Sequence, residues 1–308
     1  MILLGCYELI MEVKMKIGLQ IPNFTWPGGN SNIGPQLAEI ARAADDFGFS
    51  SLWVMDHFFQ IPNVGQIEEP MLESYTTLGF LAAHTKKIRL GTMVTGVVYR
   101  HPGILIKNVS TLDVISGGRA YFGVGAAWNE REAKGLGIPF PPLKIRFEQL
   151  EETLRIANIM WSDKVEEFNG KHFRLAETLN SPQPISKPHP PILIGGVGEQ
   201  KTLRLVAEYA DACNIFARLG TDMLKHKLDV LKRHCEAFGR PYEEIERTAL
   251  DTVHIAPGKM TPGQVIEKCQ TLHDLGFQHL IVNMPNVSEI KPLETIGKEV
   301  IPEIEKMG

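Results

Sequence analysis

From Lys16 onward two hydrophobic patterns alternate along the chain. Short, nearly unbroken apolar runs are each followed by a longer segment whose apolar residues return every three or four positions. The first pattern reads as a strand buried on both faces, the second as an amphipathic helix. KIGLQI (Lys16 to Ile21) is the first run. Leu37, Ile40, Ala41, Ala44 and Phe47 form the helical stripe after it, with Gly48 placed to end it. Leu52 to Met55, Ile88 to Gly96, Ala120 to Gly125, the PILIGG run, Ala212 to Ala217, Thr248 to Ile255 and His279 to Met284 supply seven more strands. Helices are expected around Ser74 to His84, from Pro102 through Ser116, and along Phe147, Leu150, Leu154, Ala157 and Trp161. Others follow from Glu199, along Leu224, Leu228, Leu231, Cys235 and Phe238, over Thr261 to Leu275, and near the C-terminus. Eight such units argue for an α/β fold, a parallel sheet closed into a TIM-type (β/α)8 barrel. An open doubly wound sheet is the alternative, weakened because no G-x-G-x-x-G follows the first strand.

The rhythm breaks once. VEEFNGKHFRL carries an Asn169-Gly170 turn between two short runs, a hairpin signal, and a proline-rich passage from Ser181 to Pro191 follows. Residues 162–191 therefore read as an insertion between the fourth helix and the fifth strand, too short to own a core. Residues 1–14 read as an N-terminal extension. They carry Glu8 and Glu12 and lack the basic start of a signal peptide. Residues 15–308 read as a single barrel domain. The formal net charge of −4 gives no footprint for nucleic acid or an anionic membrane. No apolar run reaches the roughly 18 residues of a membrane span. Cys6, Cys213, Cys235 and Cys269 stand far apart, which argues against a zinc site or disulfide framework and fits a reducing cytoplasm. No metal-ligand cluster is expected, and His84, His172, His189, His226 and His234 read as surface or structural residues.

Four strand ends carry residues that a packed core does not need. The second strand runs from Leu52 to Met55 and stops in Asp56-His57. An acid and an imidazole at the end of a buried strand are costly unless paired or used, and the C-terminal strand ends are where barrels place their chemistry. The structural alternative is a turn-capping Asp56 and a satisfied His57. The third strand is interrupted by Gly91, Thr92, Thr95 and Gly96, consistent with a bulge, a ligand's close approach or barrel packing. The fourth ends in Gly125-Ala126-Ala127-Trp128-Asn129-Glu130, where small residues would let a flat ring lie near the backbone; Trp128 reads as core or wall. The fifth ends in Gly195-Gly196-Val197-Gly198 before a helix, a plausible anion cradle or an ordinary turn.

IPNFTWPGG, SLWVMDHFFQIP, EPMLESYTTLGFLAAHT, RLGTMVTGVVYRHP, TLDVISGGRA and GVGAAWNERE, in that order, resemble the luciferase-like monooxygenase superfamily over nearly the whole chain from Lys16. Within it the chain is most similar to oxidoreductases that use the deazaflavin coenzyme F420. The resemblance implies a cofactor at the C-terminal strand ends, with Asp56-His57 beside its ring. It implies a non-proline cis peptide at Met93-Val94, in a bulge that backs the ring and runs on into Thr95. It also implies a ring contact near Asn129 and phosphate binding by Gly195, Gly196, Val197 and Gly198. The expected activity is hydride transfer between coenzyme F420 and a small organic substrate. His57 is the candidate acid/base, since imidazoles titrate near neutrality, and Asp56 fixes its tautomer or bonds the ring. Some sugar-phosphate dehydrogenases of the family have a Glu after strand four and a Trp shortly after the Asp-His pair. Here Ala127-Trp128 and Phe59-Gln60-Ile61 stand in those places, so Glu130 is not assigned as an acid. Phe24, Trp26, Phe58 and Phe59 hint at a hydrophobic substrate, or are core. The long loop from Gln60 to Pro70, with the insertion, is expected to close over it. An FMN-dependent two-component monooxygenase and a non-catalytic flavin-binding protein are the alternatives. A cytoplasmic homodimer is expected, with neither nucleic acid nor membrane as partner.

Overall fold

A computed structural model describes residues 14–307, so the expected N-terminal extension lies outside the described residues except for Lys14. The strands are β1 (Lys16–Ile21), β2 (Ser51–Val54), β3 (Arg89–Thr92), β4 (Thr95–Gly96), β5 (Ala120–Gly125), β6 (Phe168–Asn169), β7 (Arg174–Leu175), β8 (Ile192–Gly195), β9 (Ala212–Phe216), β10 (Glu246–Thr252) and β11 (His279–Asn283). Nine of them pair in parallel in the order β3-β2-β1-β11-β10-β9-β8-β5-β4, and β3 also pairs with β5. The sheet is therefore closed. Because β4 continues β3 past a two-residue break, the barrel has eight staves, as the repeating pattern predicts.

Alternation along the staves sorts the side chains. Leu19, Leu52, Leu90, Ile194, Ile215, Ala249 and Leu280 join clusters shared with the surrounding helices. Trp53, Met93, Tyr121, Leu193, Ala212, Leu250 and Ile281 fill the barrel's own interior. That inner layer needs Gly91. A Cβ there would lie 2.6 Å from the Trp53 ring and 2.9 Å from Tyr121 Cβ, so this glycine makes room for the Trp53–Tyr121 pair, whose centroids are 5.1 Å apart. The loop from Gln60 is tied down at both ends. Gln60 donates to the carbonyl of Pro22 at 3.2 Å, and Glu69 accepts the Thr25 hydroxyl at 2.9 Å.

Two local expectations change. The hairpin exists, but Phe168 pairs with Leu175 and Asn169 with Arg174, so residues 170–173 form its loop rather than a two-residue Asn169-Gly170 turn. The reason lies on α5 (Leu143–Met160), where Glu152 accepts the N–H groups of Lys171 at 2.7 Å, His172 at 3.1 Å and Phe173 at 2.9 Å. Three charge-assisted bonds hold a wider loop than the local sequence alone would favour. The second change is a short helix, α4 (Glu130–Gly135), directly after the fourth stave. A stretch of six residues is too brief to show helical periodicity, and it carries a residue central to the site.

Candidate active site

At the C-terminal mouth the Met93–Val94 peptide is cis and separates β3 from β4. A hydroxyl chain pins this break. Thr92 and Thr95 hydroxyls are 2.7 Å apart, Thr92 donates to the Gly123 carbonyl at 2.9 Å, and Tyr75 meets Thr95 at 2.9 Å. Gln20 donates to the Met93 carbonyl at 3.2 Å from the neighbouring side. Val94 leans over the ends of two other staves, where a Cβ on Gly125 or Gly195 would lie 3.0 Å from its methyls.

Asp56 is buried, and its oxygens are fully engaged. Arg100 donates to both of them, at 2.8 and 2.9 Å, Ser74 donates at 2.6 Å, and the N–H of Gly96 at 3.2 Å. Such a bidentate fork is the strong form of carboxylate recognition. Arg100 also binds Glu73 and lies between the rings of Tyr75 and Phe58, 4.9 and 5.9 Å from their centroids. Burial works against its charge, but Asp56 and Glu73 outweigh that and raise its pKa further above the ordinary value. Asp56 is thus a clamp between the second strand, the third-strand break and α3 (Pro102–Ser116), whose entry carries Arg100.

Asp56 does not hold its neighbour. His57 Nδ1 lies 2.5 Å from Oε1 of Glu132, on α4, and that carboxylate is fully buried. The same oxygen accepts the Tyr99 hydroxyl at 2.6 Å, and Oε2 accepts the N–H groups of Phe58 at 2.7 Å and Phe59 at 3.2 Å. Burial alone would push the Glu132 pKa up; the bonds from His57 and Tyr99 hold it below the usual carboxylate value. Glu132 therefore stays charged and takes the tautomer-fixing place that the sequence gives to Asp56. With Nδ1 as donor to Glu132, Nε2 is the nitrogen left to act, and no described residue bonds it.

Glu132, Arg100, Tyr99 and Tyr75 are the site residues that sequence reasoning missed. Glu132 sits in an Asn-Glu-Arg-Glu run that looks like solvated surface, and Arg100 looks like a helix-opening residue. The one usable signal was the second acid of that run, placed next to a predicted site strand. Asn129 caps α4 without a side-chain bond of its own and is half-buried beside this group. Phe24 and Trp26 belong to the core, whereas Phe58 and Phe59 flank the site. Trp128 is 60% exposed, its ring meeting His57 edge-on at 5.4 Å. In the Gly195–Gly198 turn the N–H of Gly196 is spent on the Asn214 carbonyl at 3.3 Å, while those of Val197 and Gly198 have no partner among the described residues. Gly196 has φ +123°, a conformation that a side chain rarely adopts.

A sequence profile of luciferase-like monooxygenases matches residues 15–260. An F420-dependent glucose-6-phosphate dehydrogenase of Nakamurella multipartita is 26% identical over 335 residues, covering 91% of this chain and 96% of that protein. An uncharacterised protein of Mycobacterium tuberculosis is 31% identical over 195 residues, 59% of this chain and 67% of its own. An F420-dependent secondary alcohol dehydrogenase solved with an F420-acetone adduct superposes with a TM-score of 0.79 at 20% identity, over 94% of this chain and 99% of that one. The oxygenating constituent of 3,6-diketocamphane monooxygenase from Pseudomonas putida, solved with FMN, gives 0.75 at 19% identity, over 94% and 98%. These two structural likenesses carry the barrel rather than its chemistry. The profile match spans every stave up to β10, including the Asp-His strand, the cis break and the helix of Glu132, and this chain belongs to the luciferase-like monooxygenase family.

Proposed function

We propose that the protein is an F420-dependent oxidoreductase in which His57 exchanges a proton with the substrate oxygen. The observation that carries this reading is the half-finished imidazole, with Nδ1 locked on buried Glu132 and Nε2 unbonded at the barrel mouth. The curated relatives named as F420-dependent dehydrogenases support the choice of cofactor. The residues suit a flat heterocycle with N–H donors. Gln20 Oε1 and Asn283 Oδ1 are buried acceptors without partners among the described residues, on residues paired in register across β1 and β11 at this end of the barrel. Unmade buried bonds of this kind cost about 1–3 kcal/mol each until a donor arrives.

Bound there, coenzyme F420 supplies a two-electron hydride couple for an alcohol or carbonyl carbon. His57 takes the hydroxyl proton in oxidation and returns it in reduction, and Glu132 stabilises the imidazolium between the two events. The Arg100 fork on Asp56 fixes the strand end that carries His57. The Met93–Val94 break, Thr95 and Asn129 are assigned to the ring. The Gly195–Gly198 turn, at the start of α6 (Thr202–Tyr209), is assigned to the phosphate through the free N–H groups of Val197 and Gly198.

Titration of the purified protein with coenzyme F420 and with FMN tests the reading. F420 is expected to bind at least about tenfold tighter, a difference of about 1.4 kcal/mol. Equal affinities, with oxygen consumption on addition of reduced FMN, would instead place the chain among the flavin monooxygenases. Gly196→Val is expected to weaken coenzyme F420 and to spare its dephospho fragment. Equal losses for both would move the phosphate elsewhere.

A further inference from the structure

Resting on that reading of the site, we infer that Trp128 is the substrate-facing wall, and that the substrate is an uncharged alcohol or carbonyl compound with an apolar body rather than a phosphorylated sugar. The other three tryptophans, Trp26, Trp53 and Trp161, are at most 9% exposed, while Trp128 is 60% exposed beside the imidazole. A large exposed aromatic surface next to a reactive group marks a binding surface more often than a packing accident.

The backbone is built to present that ring. Ala127, just before it, has φ +59°, a left-handed conformation that costs a non-glycine residue about 1 kcal/mol or more. Arg146 holds it there, giving Nη1 to the carbonyls of Ala126 at 3.3 Å and Ala127 at 2.7 Å, with its guanidinium stacked 4.1 Å over Phe140. The charges near His57 argue in the same direction. A phosphate dianion leaving water needs a cation with donors to spare. Arg100, the cation within the His57 network, is committed to Asp56, Glu73 and two aromatic faces. Arg146 gives Nη1 to two carbonyls and keeps a buried Nε without a partner among the described residues. It is thus the cation that a phosphate would have to recruit, which the glucose 6-phosphate arm of the experiment tests. What the network around His57 offers instead is Trp128, Phe58 and Phe59.

Because Trp128 is the only exposed tryptophan, intrinsic fluorescence of the full chain reads it directly, with or without cofactor. Cyclohexanol is expected to shift the emission to shorter wavelength and to lower iodide quenching at least about threefold, whereas glucose 6-phosphate at equal concentration does neither. Trp128→Phe is expected to remove both signals and keep the folded circular-dichroism spectrum. In F420-linked turnover, Trp128→Ala is expected to lower kcat/KM for cyclohexanol about tenfold. Shielding of Trp128 by glucose 6-phosphate, or by neither compound, overturns the inference. Shielding by cyclohexanol in a protein that turns over neither alcohol nor ketone with coenzyme F420 keeps Trp128 as the wall for an apolar ligand, but overturns the alcohol or carbonyl substrate together with the reading beneath it.

Discussion

A glutamate, a histidine and a tyrosine meet at both ends of this barrel, and the two sets differ in what they leave open. At the N-terminal end, Glu246 accepts Lys16 at 2.9 Å and the Tyr121 hydroxyl at 2.7 Å, and lies 3.4 Å from His279 Nδ1. His279 Nε2 meets the Ser51 hydroxyl at 3.0 Å, and that oxygen accepts the Trp53 indole N–H at 2.6 Å. Both ring nitrogens face protein, and His279 is only 2% exposed. At the C-terminal end the glutamate is more deeply buried, yet His57 keeps Nε2 unbonded and 12% of its side chain exposed. The same three residue types thus form a plug at one end and, in the proposed reading, an acid/base group at the other. The difference is access. Nδ1 of His279 also makes no hydrogen bond, but it is sealed against Glu246, whereas the His57 ring is partly open at the mouth, in keeping with the division of labour between the two faces of such barrels.

Exchanging the two histidines' roles in experiment gives the largest contrast. His57→Gln is expected to lower turnover about a hundredfold or more, the usual share of general acid–base catalysis, with cofactor affinity and melting temperature nearly unchanged. His279→Gln should do the reverse, and steady-state rates with thermal melts on both variants check it. Equal turnover losses would mean that the two ends are not functionally distinct. Next in size is Glu246→Gln, which leaves Lys16 without its anion at the foot of the barrel. Lys16 is 48% exposed, so water screens that pair and its loss costs about 1 kcal/mol or less. The weakened contact with buried His279 adds to it, and the sum is visible as a lower urea midpoint with unchanged slope. Turnover at 25 °C is expected to hold. Arg100→Lys should come after that. It keeps the charge but loses the planar fork on Asp56, so kcat is expected to fall about tenfold, with a KM change under about threefold. A KM rise with unchanged kcat would place Arg100 against the substrate instead.

The plug was far less legible in the sequence than the repeat around it. Eight staves could be read because each is a run of β-rich apolar residues followed by a helical stripe, a pattern that closure of the barrel requires. The cis peptide at Met93–Val94 came only through the family resemblance; glycines and threonines alone allowed a bulge or simple packing. Asp56 and His57 stood out by their position, but their partners did not. Arg100 lies 44 residues from Asp56 and Glu132 lies 75 from His57, so only the closed barrel brings them together. His279 is only the first residue of the last expected strand, and Glu246 falls before the expected start of the seventh at Thr248, so this pair too stays hidden until the barrel closes.

The smallest effect is the most discriminating, because its sign is fixed in advance. Burial alone would raise the pKa of either glutamate. At Glu246 the pull of His279 and Lys16 wins and holds it far below the ordinary 4.5, and at Glu132 the bonds from His57 and Tyr99 hold it lower by a lesser margin. A carboxyl group with a depressed folded value adds stability that is complete above the unfolded value and is lost as pH falls through the folded one. The gap in unfolding free energy between the natural protein and Glu246→Gln should therefore be full at pH 7, begin to close below about pH 4.5, and keep closing as far as the fold survives. The matching gap for Glu132→Gln should follow the same course with a smaller span. Urea melts at four or five pH values measure both. A gap that stays constant would trace the loss to packing rather than charge, and one that widens in acid would have the wrong sign for either carboxylate to be ionised in the native barrel.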